Sequence, residues 1–147
     1  MGTRGFGPLR ASHYSYDNAD YFSRANDHML VVFILETKEA LDNLEEIAAV
    51  PGVDVIFIGP ADLSIALGQN PINPPSAELL AATNRALEVG RKSGVAIGNG
   101  TSTSEGVEKL CEQGFKWIVY GPDYFLLRGA ADKGIETFRK FVAKSKS

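Results

Sequence analysis

Beyond residue 30 the chain repeats one pattern: a short apolar run, a longer amphipathic stretch, then another apolar run. Parallel strands need a crossover of a dozen or more residues between them, and an amphipathic helix supplies it. The apolar runs are Val31 to Glu36 (VVFILE), Val53 to Gly59, Val95 to Gly98 and Trp117 to Tyr120. The second is apolar at nearly every position, as a parallel strand covered on both faces requires. The expected order is βαβαβαβα, an α/β fold of about four parallel strands alternating with helices.

The intervening stretches carry helix signals. The helix after Glu36 is expected to start at Thr37, a good cap, to bury Ala40, Leu41, Leu44, Ile47 and Ala48, and to end at Pro51-Gly52. A Pro/Asn loop from Gly68 to Pro75 leads to Ser76 as N-cap, with Glu78 in the first turn, Arg91 and Lys92 in the last, and Gly94 as the stop. A helix from about Ser104 is expected to carry Val107, Leu110 and Cys111 inward and to stop at Gly114. After Gly121-Pro122-Asp123 the last helix offers Leu126, Leu127, Ala131, Ile135, Phe138 and Phe141 as an apolar face.

Units of this kind build either a doubly wound sheet or a (β/α)8 barrel, and the barrel typically takes about 250 residues. With 147 residues the chain supplies about half of one. The first thirty residues add no strand: Gly2, Gly5, Gly7 and Pro8 make a loop, and Asp20 to Met29 makes at most a short helix. The expected organisation is one partial domain over 1–147, a leading loop and short helix over 1–30 and βα units over 31–147.

Two acids mark strand ends. Glu36 closes the first apolar run and Asp62 follows the second, at the end of parallel strands where α/β proteins place chemistry. Two hard oxygen donors suit Mg2+ or Mn2+, with water and substrate filling the other positions. Structural readings compete: Asp62 can cap a helix starting at Leu63, and Glu36 can favour the N-terminus of its own helix. Gly59-Pro60-Ala61-Asp62 reads as a tight strand-to-helix turn whose N–H groups could receive a carboxylate or phosphate oxygen. Gly121-Pro122-Asp123 repeats it, so part of its meaning is structural. Asn99 reads as a polar wall of the same mouth or, in preference, as a turn residue tolerating positive φ. His13, in a loop beside Arg10 and Tyr14, is a candidate base or a solvated side chain, while His28 is expected in a short polar helix. Lys116 begins a strand, the wrong end for Schiff-base chemistry, which argues against a lysine-type aldolase.

The formal net charge of -3 gives no basic footprint for nucleic acid, and no apolar run reaches the ~20 residues that span a bilayer. A small molecule is the expected partner. The single cysteine, Cys111, fits a reducing compartment, so a cytoplasmic location is expected.

Several stretches, Arg4-Gly5-Phe6-Gly7 with Arg10-Ala11, Asp20-Tyr21-Phe22, Ala25-Asn26-Asp27, Glu36-Thr37, Gly52-Val53-Asp54 and above all Val55 to Ser64 (VIFIGPADLS), resemble the metal-dependent (class II) 2-oxo acid aldolases of the HpcH/HpaI family. The resemblance covers essentially the whole chain. It implies the C-terminal half of a (β/α)8 TIM-type barrel and cleavage of 4-hydroxy-2-oxo acids to pyruvate and an aldehyde; the apolar strand edges at Val31 to Leu35 and Trp117 to Tyr120 make a homo-oligomer the expected state. It also implies Glu36 and Asp62 as ligands of Mg2+ or Mn2+, and the backbone of Ala61 and Asp62, with Gly59 and Pro60, as receiver of the 2-oxo acid carboxylate. Two departures qualify it. The strands that carry the family's catalytic arginine and histidine base precede the part this chain resembles, so Arg4, Arg10 and His13 do not inherit those roles, and weak activity is expected of the chain alone. Ile34 stands where the family usually has a glutamine, which removes a polar contact to substrate. Two other readings stay open: a non-catalytic half-barrel serving as a metal-binding or interaction module, and a phosphate-binding barrel enzyme using the turns at Gly98 and Gly121.

Overall fold

A computed structural model describes residues 5–7 and 9–144; Gly2, Arg4 and Pro8 of the leading motif lie outside the described residues. The chain divides into two compact units, Met1–Val31 and Val32–Ser147. The first holds a single 3-10 turn, Arg10–Ser12, and a short helix α1 (Asn18–Arg24). His28 falls beyond that helix rather than within it, because the chain turns after Ala25. Between the turn and α1, His13, Tyr14 and Ser15 all have positive φ, at 47°, 54° and 75°. Buried Ser12 ties this left-handed run down, accepting from the Ser15 N–H at 3.2 Å.

The second unit is built from β1 (Val32–Leu35), α2 (Lys38–Asp42), α3 (Leu44–Ala48), β2 (Val55–Ile58), α4 (Pro60–Ala66), α5 (Ala77–Ser93), β3 (Ala96–Thr101), α6 (Ser104–Gln113), β4 (Trp117–Tyr120) and α7 (Asp123–Lys144). The strands form one parallel sheet in the order β1-β2-β3-β4, so the α/β alternation expected from the sequence is the observed architecture. Right-handed crossovers between neighbouring parallel strands put successive helices on one face. On that face Leu35, Ile56, Ile58 and Ile97 meet Leu44, Ala48, Leu63, Leu79, Ala82 and Ala86 from α3, α4 and α5 in one buried cluster. Each fully buried leucine or isoleucine there contributes about 1.5–3 kcal/mol.

The opposite face is largely open, although Val55 on it is buried. Ile34, Phe57, Gly98 and Trp117 stand side by side across all four strands. Ile34 remains 58% exposed and Trp117 37%.

Local rules explain most helix ends. The Thr37, Ser76 and Thr103 hydroxyls accept from Ala40, Leu79 and Gly106 N–H at 3.0, 3.1 and 3.0 Å. Gly94 ends α5 at φ 83°, a left-handed conformation open to glycine at little cost. Four expectations are corrected. The helix after Glu36 is two short helices, because Asn43 leaves helical geometry and its side-chain amide donates to the Glu39 carbonyl at 2.9 Å. Arg85 of α5 spans the break, donating to the Leu41 carbonyl at 2.9 Å and pairing with Glu45 through two nitrogens. The third strand runs on to Thr101 because Asn99, Gly100 and Thr101 pair with Ile118, Val119 and Tyr120. Cys111 is exposed instead of inward, since α6 seats only its Val107 and Leu110 stripe. The apolar stripe of α7 is likewise exposed along its whole length, and α7 buries no residue.

Candidate functional site

The mouth of the sheet is set by β1 and β2. Leu35 pairs with Ile58, and the Gly59 N–H donates to the Leu35 carbonyl at 3.0 Å, carrying the parallel ladder one step past both strands. Glu36 and Gly59 are therefore neighbours at the C-terminal ends of adjacent strands. A Cβ on Gly59 would stand 3.3 Å from Glu36 Cβ, 3.3 Å from Ile34 Cγ2 and 3.6 Å from Glu36 Oε2. Gly59 itself has φ −86° and ψ 88°. The turn does not demand glycine by its φ; a Cβ there would instead press on Ile34 and Glu36, which would have to shift by a few tenths of an ångström. That reason is invisible in the local sequence, where Gly59 reads only as a turn residue.

Helix α4 starts directly at this point. Pro60 has no N–H, and Leu63 donates to the Gly59 carbonyl at 2.9 Å, so the amides of Ala61 and Asp62 are left without a helical acceptor. No side chain caps this end. Asp62 is not the cap of a helix starting at Leu63: α4 begins at Pro60, and Asp62 is an exposed residue of its first turn. Glu36 is exposed as well. The fold thus brings to one sheet end two carboxylate-bearing residues and a pair of free amides.

Asn99 is not part of this mouth. It lies within β3 without positive φ, and its Oδ1 accepts from the Gly100 N–H at 2.7 Å. Its alternation with Gly98 puts it on the helix side of the sheet, where with Leu79, Thr83, Thr101 and Lys109 it lines a cleft of about 330 Å3 between α5 and α6. His13 belongs to the first unit, where its Nδ1 lies 2.7 Å from Asp17 Oδ2 and its side chain is 78% exposed. Among the described residues no group of three or more His, Cys, Asp or Glu side chains is placed to hold a metal. No described helix is long and apolar enough to cross a membrane.

The sequence profile of the HpcH/HpaI aldolase/citrate lyase family matches residues 2–130. The chain belongs to that family. Among HpcH/HpaI relatives it is 39% identical over 136 residues to the 2-dehydro-3,6-dideoxy-6-sulfogluconate aldolase of Pseudomonas putida, a match covering 90% of this chain and 52% of that protein. It is 39% identical over 132 residues to a 4-hydroxy-2-oxo-heptane-1,7-dioate aldolase of Escherichia coli, covering 89% and 50%. The crystal structure of a family protein from Burkholderia cenocepacia J2315 superposes with a TM-score of 0.80 at 31% identity, over 94% of this chain and 53% of that one. The chain spans about half the length of the relatives it matches. Its four parallel βα units accord with half of a (β/α)8 barrel.

Proposed function

We propose that this chain carries the metal-binding half of a 2-oxo acid aldolase site, working in the cleavage of 4-hydroxy-2-oxo acids to pyruvate and an aldehyde. The observation that carries the reading is the meeting of Glu36 and the α4 N-terminus over a side-chain-free Gly59. The donor set fits a hard divalent cation such as Mg2+ or Mn2+, which tolerates few protein ligands and keeps water and substrate oxygens in the remaining positions. Glu36 and Asp62 would hold it. When bound, such a cation supplies Lewis-acid stabilisation of the negative charge that develops on the substrate oxygen as the carbon-carbon bond breaks.

The chain's own groups account for binding and orientation. The amides of Ala61 and Asp62 point along the α4 axis at its positive end, where a carboxylate is favoured by about 0.3–1 kcal/mol and by the hydrogen bonds it accepts. Ile34 and Phe57 beneath them are apolar, so the substrate's polar groups are recognised at the rim and not from below. Neither a positioned arginine nor a paired histidine stands beside Glu36 among the residues of the second unit, whose sequence from Val32 onward contains no histidine. Proton transfer would then come from His13, from water or from groups outside this chain, and a positioned acid or base is worth ~10²- to 10⁴-fold. The chain alone is accordingly expected to turn over slowly.

Titration with Mn2+, followed by electron paramagnetic resonance, tests the reading. Glu36→Gln and Asp62→Asn are each expected to weaken binding by at least tenfold while leaving the unfolding midpoint nearly unchanged, because both side chains are exposed. Parent-like affinity in both variants would refute the site. Pyruvate release assayed with and without the metal then asks whether the bound cation serves the proposed reaction.

A further inference from the structure

Helices α5 and α6 both rest on β3, and each is seated there by a glycine. At Gly90 of α5 a Cβ would meet the Val95 carbonyl oxygen at 2.8 Å, and at Gly106 of α6 it would overlap Thr101 Oγ1. The first contact lies at the N-terminal end of β3 and the second at its C-terminal end. Both walls of the cleft between the two helices are thereby fixed against the strand that forms its floor. Its volume of about 330 Å3 falls within the range of small-molecule sites, about 300–1,000 Å3. The residues that line it fall between Pro60 and Gln113, inside the second unit.

The lining combines an apolar wall with unused donors. Leu79, Leu87 and Leu110 supply the wall, and the first two are buried. In the floor, Asn99 Oδ1 is taken by the Gly100 N–H, which leaves the Nδ2 amide of the same side chain to donate. Asn84 of α5 and Lys109 and Gln113 of α6 line the cleft and make no hydrogen bond or ion pair among the described residues. No described aspartate or glutamate lines it. Glu105 and Glu112 stand within a turn of Lys109 on α6, yet neither pairs with it. An unpaired ammonium beside amide donors and leucines matches one negative charge carried on an apolar body. A divalent cation would find no carboxylate in the lining, and a phosphate dianion would meet a single positive charge.

We propose that the α5–α6 cleft binds a small monocarboxylate with an apolar body, its carboxylate received by Lys109 and the neighbouring amide donors and its hydrocarbon laid against Leu79, Leu87 and Leu110. Neither Glu36 nor Asp62 takes part, so this site stands or falls independently of the metal site.

Hexanoate is the probe, titrated in metal-free buffer into the isotope-labelled 147-residue protein and followed by proton–nitrogen correlation spectra. Saturable shifts are expected in the side-chain amides of Asn84, Asn99 and Gln113. Hexan-1-ol, which lacks the charge, is expected to bind about tenfold more weakly, and acetate, which lacks the apolar body, at least as weakly. Lys109→Met is expected to weaken hexanoate binding about tenfold, while Lys109→Arg, which keeps the charge, retains most of it. Glu36→Gln is expected to bind hexanoate as the parent does, whatever its effect on Mn2+. Absence of saturation, equal binding of hexan-1-ol, or parent-like binding by Lys109→Met would each overturn the proposal. Shifts confined to the backbone amides of Ala61 and Asp62 would overturn it too, by placing the carboxylate at the sheet mouth. Should Lys109→Met fail to fold by circular dichroism, the comparison of hexanoate with hexan-1-ol on the parent protein decides.

Discussion

Gly90 lies in close contact between α5 and the sheet, and replacing it by alanine tests how α5 is seated. A Cβ there would meet Ile97 Cγ1 at 2.5 Å, the Val95 carbonyl oxygen at 2.8 Å and Ile97 Cδ1 at 3.0 Å. Ile97 can relieve its part by a rotamer change, but it is 2% exposed and has little free volume to move into. The Val95 oxygen belongs to the backbone entering β3, so the remaining overlap is relieved only if α5 lifts from the sheet. Overpacking of this kind costs about 1–3 kcal/mol. Against it stands the helix-propensity gain of alanine over glycine, about 1 kcal/mol. The backbone clash wins, and Gly90→Ala is expected to destabilise the protein by about 1–2 kcal/mol, a fall in Tm of about 3–6 °C for a domain of this size. Urea unfolding by far-ultraviolet circular dichroism measures it, at one protein concentration because association shifts apparent stability. Gly134→Ala in α7, with nothing within 4 Å of its Cβ, is the matched control and is expected to raise helix content without loss of stability. A Gly90→Ala protein as stable as the parent would refute the reasoning, since α5 could not then lie against Val95 and Ile97 as described.

Two further outcomes follow from side-chain contacts. The hydrogen bond from Arg85 holds the Glu45 carboxyl below its ordinary pKa of 4.5, a depressed folded-state value whose contribution is present above that pH and is lost as pH falls through the lowered one. The stability difference between parent and Arg85→Met is therefore expected to be largest near neutrality and to shrink below about pH 4.5, without vanishing, because the bond to the Leu41 carbonyl does not titrate; a pH-independent difference in urea midpoints would contradict it. Cys111, exposed on α6, is expected to react stoichiometrically with a thiol reagent in the folded protein, and protection until unfolding would restore the inward reading.

Much of the fold was legible because it rests on local rules. The strand and helix alternation follows from apolar periodicity, and Thr37, Ser76 and Gly94 act as their residue types imply. The break at Asn43 escaped the periodicity because Leu41, Leu44 and Ile47 keep helical spacing on both sides of it, and only the side-chain competition for the Glu39 carbonyl interrupts the turn. Cys111 read as core because apolar spacing reports what a helix can bury, while burial also needs a neighbour to bury it. Asn99 between two glycines carried every signal of a turn, yet pairing with β4 drew it into the sheet and away from the mouth.

The sequence by itself determined the kinds of element, their order, the parallel crossover topology and the two acids at strand ends, since each depends on contacts within a few residues along the chain. The tertiary structure alone decided which face of the sheet is covered, that Gly59 is constrained by the approach of Ile34 and Glu36 and not by its own backbone, and that Asn99 faces the helices. Those are matters of register between strands some twenty to forty positions apart. A one-residue slip there would exchange the two faces without changing a single local preference.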